Sequence, residues 1–158
     1  MEIERKFLVK KLPDLSGYQP ISYERYYVHR GDGVEKRIQK KGDKYEFEEL
    51  EEASGLSRTH HKRELTEHEF NQMKGRPEEA LLRESYVISN NPEISIKIYH
   101  GRFEGFARVE VEFSSEEEAQ AFVPPDWFGE DITYHPLGRD VKLVGLSAEE
   151  FEGYFNKL

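Results

Sequence analysis

The chain has 158 residues and a formal net charge of −9, and its length fits one domain. It contains no cysteine and no apolar run near the ~18–20 residues of a membrane span, which excludes disulfides, thiolate catalysis, Cys-ligated metals and membrane-spanning helices. Because the acidic balance argues against a protein that coats nucleic acid, and the N-terminus has no apolar signal segment, we expect a cytoplasmic protein with neither nucleic acid nor a membrane as partner.

Alternation of apolar and polar residues, the pattern of a strand with two different faces, recurs along most of the chain. Turn residues such as Gly31–Gly33, Lys41–Asp43 and Asn90–Pro92 separate the alternating segments, which predicts antiparallel hairpins. Eight strands joined in this way predict a mainly antiparallel β (α+β) fold whose sheet curls or closes. The predicted strands are Glu2–Val9, Ile21–His29, Val34–Lys41, Lys44–Leu50, Leu56–Leu65, Ala80–Ser89, Glu93–Tyr99 and Gly105–Phe113.

Three short helices are predicted between and after these strands. Thr66–Glu69 begins the first with a capping box, and we expect Gly75 to close it. Ser115 begins the second helix and Ser147 begins the third. Aromatic residues at helical spacing in the third helix predict that it packs against the barrel. These aromatic residues are Phe151, Tyr154 and Phe155.

Almost every predicted strand has one apolar face and one face of mixed charge. In the first strand Glu2, Glu4 and Lys6 share a face, with successive side chains ~6.6 Å apart. Such a face would ordinarily lie in water. However, three short helices cannot cover eight strands, and the mixture of acids with arginines suits a cavity that holds an anion and its metal. The other charged faces contain Glu35, Arg37, Gln39 and Lys41; Arg58, His60 and Lys62; Arg83; Lys97; and Arg108, Glu110 and Glu112.

The chemistry of a phosphate chain needs groups of both signs. Arginine and lysine bind phosphate oxygens, arginine often with two parallel hydrogen bonds. Magnesium is typically held by one or two carboxylates together with substrate phosphates and water. Neighbouring His60 and His61 cannot together hold one metal ion from a regular strand, because adjacent residues point to opposite faces.

Three segments stand out in order along the chain. Glu2–Lys6 reads Glu-x-Glu-x-Lys, Gly101–Phe106 is rich in glycine and precedes a Glu-x-Glu at Glu110–Glu112, and Pro125–Thr133 reads Pro-x-Trp-x-Gly-x-x-Ile-Thr. Together they resemble the CYTH family, the triphosphate tunnel metalloenzymes, which has the same N-terminal motif, a glycine hairpin before a late Glu-x-Glu, and a Pro-x-Trp-x-Gly-x-x-Val-Thr segment. The resemblance covers nearly the whole chain. It implies a single tunnel domain over residues 1–158, a closed or nearly closed eight-stranded barrel with peripheral helices that acts on triphosphates with a divalent metal.

The resemblance also implies roles for individual residues. Mg²⁺ or Mn²⁺ would be held by Glu2 and Glu4 together with Glu110 and Glu112 from a later strand. Lys6 would contact the phosphate chain or position the nucleophile, so Lys6 and Glu4 are the expected catalytic residues. The expected substrate-binding residues are Arg37, Arg58, Lys62, Arg83, Lys97 and Arg108.

The sequence departs from the family pattern at several of these positions. Gln39 replaces the second Arg of Arg-x-Arg, and His60 and Lys62 stand where the middle strand has Glu-x-Glu. Ser85 stands at the second position of Lys-x-Arg, and Lys97 stands at a later acidic position. The substitutions remove acids and bases together, so we expect an altered metal site and a restored affinity for anions.

Three functions follow from these observations. The first is a metal-dependent phosphohydrolase that acts on inorganic tripolyphosphate or a related triphosphate. The second is a module that binds a polyphosphate or a phosphorylated ligand without cleaving it, which the lost acids favour. The third is an adenylate cyclase, ranked last because nothing in the sequence marks an adenine pocket. In each case the partner is a small-molecule triphosphate or polyphosphate, and the frequency of homodimers in the family makes a homodimer one assembly to test.

Overall fold

In a computed structural model, which describes residues 2–52 and 57–157, eight antiparallel strands close into a barrel. A ninth strand and four short α-helices are also present in these residues. The strands are β1 (Glu2–Val9), β2 (Ile21–Gly31), β3 (Val34–Lys41), β4 (Lys44–Glu52), β5 (Ser57–Leu65), β6 (Leu81–Asn90), β7 (Glu93–His100), β8 (Ala107–Glu112) and β9 (Phe128–Asp131). The helices are α1 (Glu67–Met73), α2 (Glu116–Ala121), α3 (Asp140–Leu143) and α4 (Ala148–Phe155).

Hairpins connect most neighbouring strands of the barrel. Between β2 and β3, Asp32 and Gly33 have φ angles of 56° and 74°, the pair of positive values that a two-residue type I′ turn needs. The strand order is β5-β4-β3-β2-β6-β7-β8-β1-β9, and a pairing of β5 with β1 closes the barrel. That pairing joins Glu2 to Arg58 and Ile3 to Ser57. Farther along the same edge of β1, β9 replaces β5 as its neighbour.

The apolar faces of the strands point away from the barrel axis and pack under the helices. Phe7, Val109 and Val111 belong to one buried cluster with Ala119 of α2 and Phe128 of β9. A second cluster joins strand residues to α3 and α4, and a third packs β3 against Phe70 of α1. The prediction that the last helix packs its aromatic residues on the barrel is confirmed, since Phe151, Tyr154 and Phe155 belong to the second cluster.

The predicted strands and helices are confirmed with changes at several ends. The predicted start of β5 at Leu56 lies outside the described residues, and the strand is described from Ser57. The first helix ends at Met73 with Lys74 as its C-cap, and the predicted closing residue Gly75 follows directly after this cap. β9 and α3 were not predicted because each has four residues, too few for a periodic pattern. None of the described helices has the length and apolar character needed to cross a membrane.

Candidate functional site

The barrel encloses a cavity of about 210 Å³ with a polar, charged lining. The lining comes from alternate residues of the strands, the same faces of mixed charge that the sequence pattern indicated. The structure therefore brings every predicted site residue to one place, although their roles remain predictions. These residues are Glu2, Glu4, Lys6, Arg37, Arg58, Lys62, Arg83, Lys97, Arg108, Glu110 and Glu112.

Strand register arranges many of these side chains in rows that follow the barrel wall. Residues directly opposite each other on adjacent strands are close neighbours, and successive rows are ~6.8 Å apart. We name three of these rows. The acidic row is Glu4–Glu112–Glu93, the middle row is Lys6–Glu110–Ser95, and the basic row is Arg108–Lys97–Ser85. Across the part of the wall formed by β1, β8, β7 and β6, the charge of these rows thus changes from negative to positive along the barrel axis.

The acidic row lies at the end of the barrel where β1 and β7 begin. Glu4 accepts a hydrogen bond from Nη2 of Arg58 at 2.9 Å, and Glu2 lies 3.5 Å from the same nitrogen. In the part of the chain that the structure describes, Glu93 and Glu112 form no ion pair. Partial burial, and then the neighbouring carboxylates of Glu4 and Glu93, raise the pKa of Glu112 to about 7. Negative charge at this end is therefore only partly compensated.

On β5, His60 and Lys62 stand where the family pattern has acidic residues, and each pairs with a carboxylate of β4. His60 contacts both Glu2 and Glu48, and these hydrogen bonds raise the pKa of His60 to about 9. Lys62 lies 3.1 Å from Glu46. His60 and Lys62 both line the cavity, so the interior has gained positive charge where the resembled family has Glu-x-Glu.

The basic row contains a lysine in place of the missing second base of Lys-x-Arg. Nζ of Lys97 donates a hydrogen bond to Oγ of Ser85 at 2.7 Å, and Lys97 is only 8% exposed. The cation absent at Ser85 is thus supplied from the adjacent strand. Burial lowers the pKa of Lys97 to about 8, although nearby Glu110 acts in the opposite direction. Burial also lowers the pKa of Lys6, whose Nζ lies 3.9 Å from a carboxylate oxygen of Glu4.

Next to the basic row, three arginines surround one carboxylate. Asp140, the first residue of α3, lies 2.7 Å from Arg25, 3.1 Å from Arg83 and 2.8 Å from Arg108. It also accepts a hydrogen bond of 2.6 Å from the hydroxyl of Tyr99. Burial alone would raise the pKa of Asp140, but the three guanidinium groups hold that pKa well below its usual range. Asp140 is therefore ionised throughout the neutral range.

Sequence reasoning missed several lining residues. Tyr23, Arg25 and Tyr27 alternate along β2, so the strand pattern used elsewhere would have found them. Glu48 of β4 follows the same rule and lines the cavity beside β5. Glu93 also lines the cavity, and it alternates with Lys97 along β7. Two further lining residues, Arg139 and Asp140, gave no such signal, because they follow a 3₁₀ turn and belong to no alternating segment.

Comparisons with known proteins place the chain beside triphosphatases. No family model matches it. It is 35% identical over 136 residues to the inorganic triphosphatase of Nitrosomonas europaea, an alignment that covers 84% of this chain and 89% of that protein. The crystal structure of the inorganic triphosphatase NE1496 matches with a TM-score of 0.68 and 26% identity, covering 93% of this chain and 96% of that one. The PH1012 protein of Pyrococcus horikoshii OT3 has the same fold, with a TM-score of 0.58, 15% identity and coverages of 95% and 93%.

Proposed function

Because the chain belongs to the CYTH family of triphosphate tunnel proteins, we propose that it is a metal-dependent phosphohydrolase that cleaves inorganic tripolyphosphate or a related triphosphate inside the barrel. Its homologue in Nitrosomonas europaea is an inorganic triphosphatase, which supports this choice. The observation that carries the proposal is the change of sign along the cavity wall. The acidic row can attract a divalent cation, while the basic row and its neighbouring arginines can attract the phosphate chain.

The substrate would lie against the cationic part of the wall. Arg83 is only 6% exposed, and its Nε–H has no hydrogen-bond partner in the described residues. A buried donor without a partner costs ~1–3 kcal/mol, and a phosphate oxygen would remove that cost. Arg108 and Lys97 lie beside it in the same wall, and cations of the opposite wall can neutralise the rest of the chain. These are Arg37, Arg58 and Lys62.

A divalent cation fits the chemistry of the acidic end. No three His, Asp or Glu side chains within residues 2–52 and 57–157 already converge on one metal position. However, carboxylate oxygens are the ligands that Mg²⁺ and Mn²⁺ prefer, and like charges on opposite strand positions destabilise the sheet. Glu2, Glu4 and Glu112 would hold the ion, with Glu110 from the middle row as the further predicted ligand. When bound, the ion would withdraw negative charge from phosphate oxygens.

The reaction itself would be the attack of water on the terminal phosphorus. A P–O bond forms to the water oxygen, and the bridging P–O bond breaks to leave orthophosphate and pyrophosphate from tripolyphosphate. One proton of the water stays on orthophosphate, and the other passes to the pyrophosphate leaving group. Fixed cations stabilise the charge spread over the phosphoryl oxygens, which is the main catalytic need of phosphoryl transfer. Lys6 lies between the acidic and basic rows, beside Glu4, so it can contact the transferred phosphoryl group or position the water.

Phosphate release tests this function directly. Tripolyphosphate, ATP and thiamine triphosphate are each incubated with the protein in Mg²⁺, Mn²⁺ and EDTA. We expect metal-dependent release, with tripolyphosphate preferred.

Glu4→Gln should abolish turnover while the folded state persists, because Glu4 is both a predicted metal ligand and, with Lys6, one of the two predicted catalytic residues. Glu49→Gln is the matched control, since Glu49 pairs with exposed Lys36. A fully active Glu4→Gln variant would contradict the proposal.

A binding module is the second candidate, favoured by the extra interior cations. His60, Lys62 and Lys97 stand where the family pattern has acids, and all three line the cavity. In this case tripolyphosphate would bind tightly in EDTA, and no metal would yield phosphate. Metal-dependent turnover would exclude this candidate as the main function.

A further inference from the structure

We propose that Asp140 is a positioning residue that fixes the orientation of the tunnel arginines Arg25, Arg83 and Arg108. This inference rests on the proposed function and adds to it a residue from outside the barrel strands. Asp140 would hold the phosphate-binding groups in place and would not bind phosphate itself, because its carboxylate is negatively charged and both of its oxygens already contact donors of the protein. The three arginines would be the groups that touch the substrate.

The contacts of Asp140 use both of its carboxylate oxygens. Oδ2 lies 2.7 Å from Nη1 of Arg25 and 3.1 Å from Nη1 of Arg83. Oδ1 lies 2.8 Å from Nη2 of Arg108 and accepts the hydroxyl proton of Tyr99 at 2.6 Å. These four donors belong to β2, β6, β8 and β7, which are consecutive in the sheet. One carboxylate thus connects four neighbouring strands at the positively charged part of the tunnel.

Asp140 is held in place by the backbone around it as well as by the arginines. Leu137 and Leu143, on either side of it, are fully buried in the second apolar cluster. A Cβ on Gly138 would lie 1.9 Å from the carbonyl oxygen of Ile132, so only glycine allows this close crossing of the chain. The carbonyl oxygen of Leu137 also accepts a hydrogen bond from Nη1 of Arg108 at 3.1 Å. The carboxylate is therefore preorganised, and the guanidinium groups orient to it.

This arrangement leaves the arginines ordered and still cationic. Asp140 and Glu110 supply two negative charges to three guanidinium groups, so the cluster keeps an excess positive charge for an anion. The Asp140 contacts to Arg83 use Nη1, and the buried Nε–H of Arg83 has no partner among the described residues. Without the carboxylate, three neighbouring guanidinium groups would repel one another and lose this shared orientation.

Asp140→Asn tests the proposal because it keeps the side-chain shape and removes the charge. We expect the kcat for tripolyphosphate to fall about 10- to 100-fold, the usual scale of a small misplacement of catalytic groups. The KM should change much less, since the arginines remain cationic and still attract the substrate. Asp140→Glu should not restore kcat, because the longer side chain keeps the charge but not the position. Asp14→Asn is the control, since Asp14 is exposed and accepts a hydrogen bond from the backbone N–H of Ser16 outside the cavity lining, and it should leave both constants unchanged.

A second readout does not depend on turnover. In ¹H–¹⁵N spectra of protein labelled at arginine, the side-chain N–H signals of Arg25, Arg83 and Arg108 should be resolved and exchange slowly in the wild type. They should be lost in Asp140→Asn while the backbone spectrum is retained. If Asp140→Asn fails to fold, a second pair of variants replaces it: Arg25→Gln and the double variant Arg25→Gln/Asp140→Asn. Only the double variant should lose the side-chain N–H signals of Arg83 and Arg108.

Opposite results overturn the inference. Unchanged arginine signals and unchanged kcat in Asp140→Asn would contradict it, and so would an equal loss of kcat in Asp14→Asn. A wild type that neither cleaves nor binds tripolyphosphate would instead refute the proposed function, and the arginine spectra would still decide whether Asp140 orients the cluster.

Discussion

The acidic row and the basic row lie on overlapping strands of one barrel, yet they differ in how their charges are satisfied. In the acidic row Glu4, Glu112 and Glu93 face one another across adjacent strands, and like charges in such positions are unfavourable. In the basic row Lys97 donates to Ser85, and Arg108 binds Glu110 and Asp140. The carboxylates of one end are therefore only partly compensated, whereas the cations of the other end are already ordered by the protein's own carboxylates.

Because the two rows are satisfied differently, we expect metal binding and phosphate binding to be separable by mutation. Changes in the basic row and its arginines should alter the affinity for the phosphate chain. Changes in the acidic row should alter the requirement for metal. A variant that affects both equally would argue that the two rows act as a single site.

The largest separable effect is expected from Arg83→Gln. The substitution removes a buried cation whose Nε–H has no partner among the described residues. Hydrogen bonds to charged groups contribute ~1.5–3 kcal/mol each. If Arg83 donates two such bonds to phosphate oxygens of the substrate, their loss would lower kcat/KM for tripolyphosphate by about 100-fold or more, mainly by raising KM. Initial-rate kinetics at several Mg²⁺ concentrations would measure this, and the Mg²⁺ concentration for half-maximal rate should stay constant.

Arg76→Gln is the control for Arg83→Gln, because Arg76 is exposed beside α1 and contacts only nearby acids among the described residues. A similar loss in that variant would point to a general effect of net charge. A large rise in the Mg²⁺ requirement of Arg83→Gln would contradict the separation of the two rows.

The converse change is Glu112→Gln in the acidic row. It removes a predicted metal ligand, so the Mg²⁺ concentration for half-maximal rate should rise about tenfold, a typical cost for a perturbed metal site. The KM for tripolyphosphate at saturating metal should stay within about twofold of the wild-type value. Metal titrations of the rate measure both quantities.

The stability of Glu112→Gln in EDTA gives an independent check with a definite sign. The folded-state pKa of Glu112 is about 7, above its ordinary value of 4.5, so its ionisation costs stability as the pH rises between these values. The variant should therefore unfold at a higher temperature than the wild type at pH 8 and lose this advantage at pH 4. The gain should be about 1 kcal/mol or less, because the side chain is partly exposed and solvent screens the repulsion. Equal melting temperatures at pH 8 would contradict the description of the acidic row.

Alternation along the strands was enough to predict which residues face the interior. It placed Glu2, Glu4 and Lys6 on one face, and the cavity lining agrees. Alternation does not specify which residues of different strands are opposite, because turns and bulges set the register. The bulges between Tyr27 and His29 and between Val87 and Ser89 are of this kind. The rows, and with them the change of charge along the tunnel, therefore required the structure.

Asp140 lay beyond sequence reasoning for a different reason. It belongs to a four-residue helix after a 3₁₀ turn, where neither a period of two nor a helical period can be recognised. Its position depends on long-range packing of Leu137 and Leu143 and on the close approach of Gly138 to Ile132. Local sequence patterns carry no information about such contacts.

The smallest effect concerns Lys97 and the pH dependence of the basic row. Burial lowers the pKa of Lys97 to about 8, so its positive charge is present below that pH and is lost as the pH rises through it. Since kcat/KM reports the ionisation of the free enzyme, kcat/KM should fall between about pH 7.5 and 9 in the wild type.

Lys97→Arg tests this expectation because arginine keeps its charge at all these pH values. The variant should therefore lack this part of the decline. With both proteins normalised at pH 7, its kcat/KM at pH 9 should exceed the wild-type value by up to about tenfold. Ionisation of the substrate affects both proteins equally and cancels in the ratio. Identical pH profiles of kcat/KM for the wild type and Lys97→Arg would mean that the charge of Lys97 is not needed for binding. Another cation of the wall would then have to replace the base that is missing at Ser85.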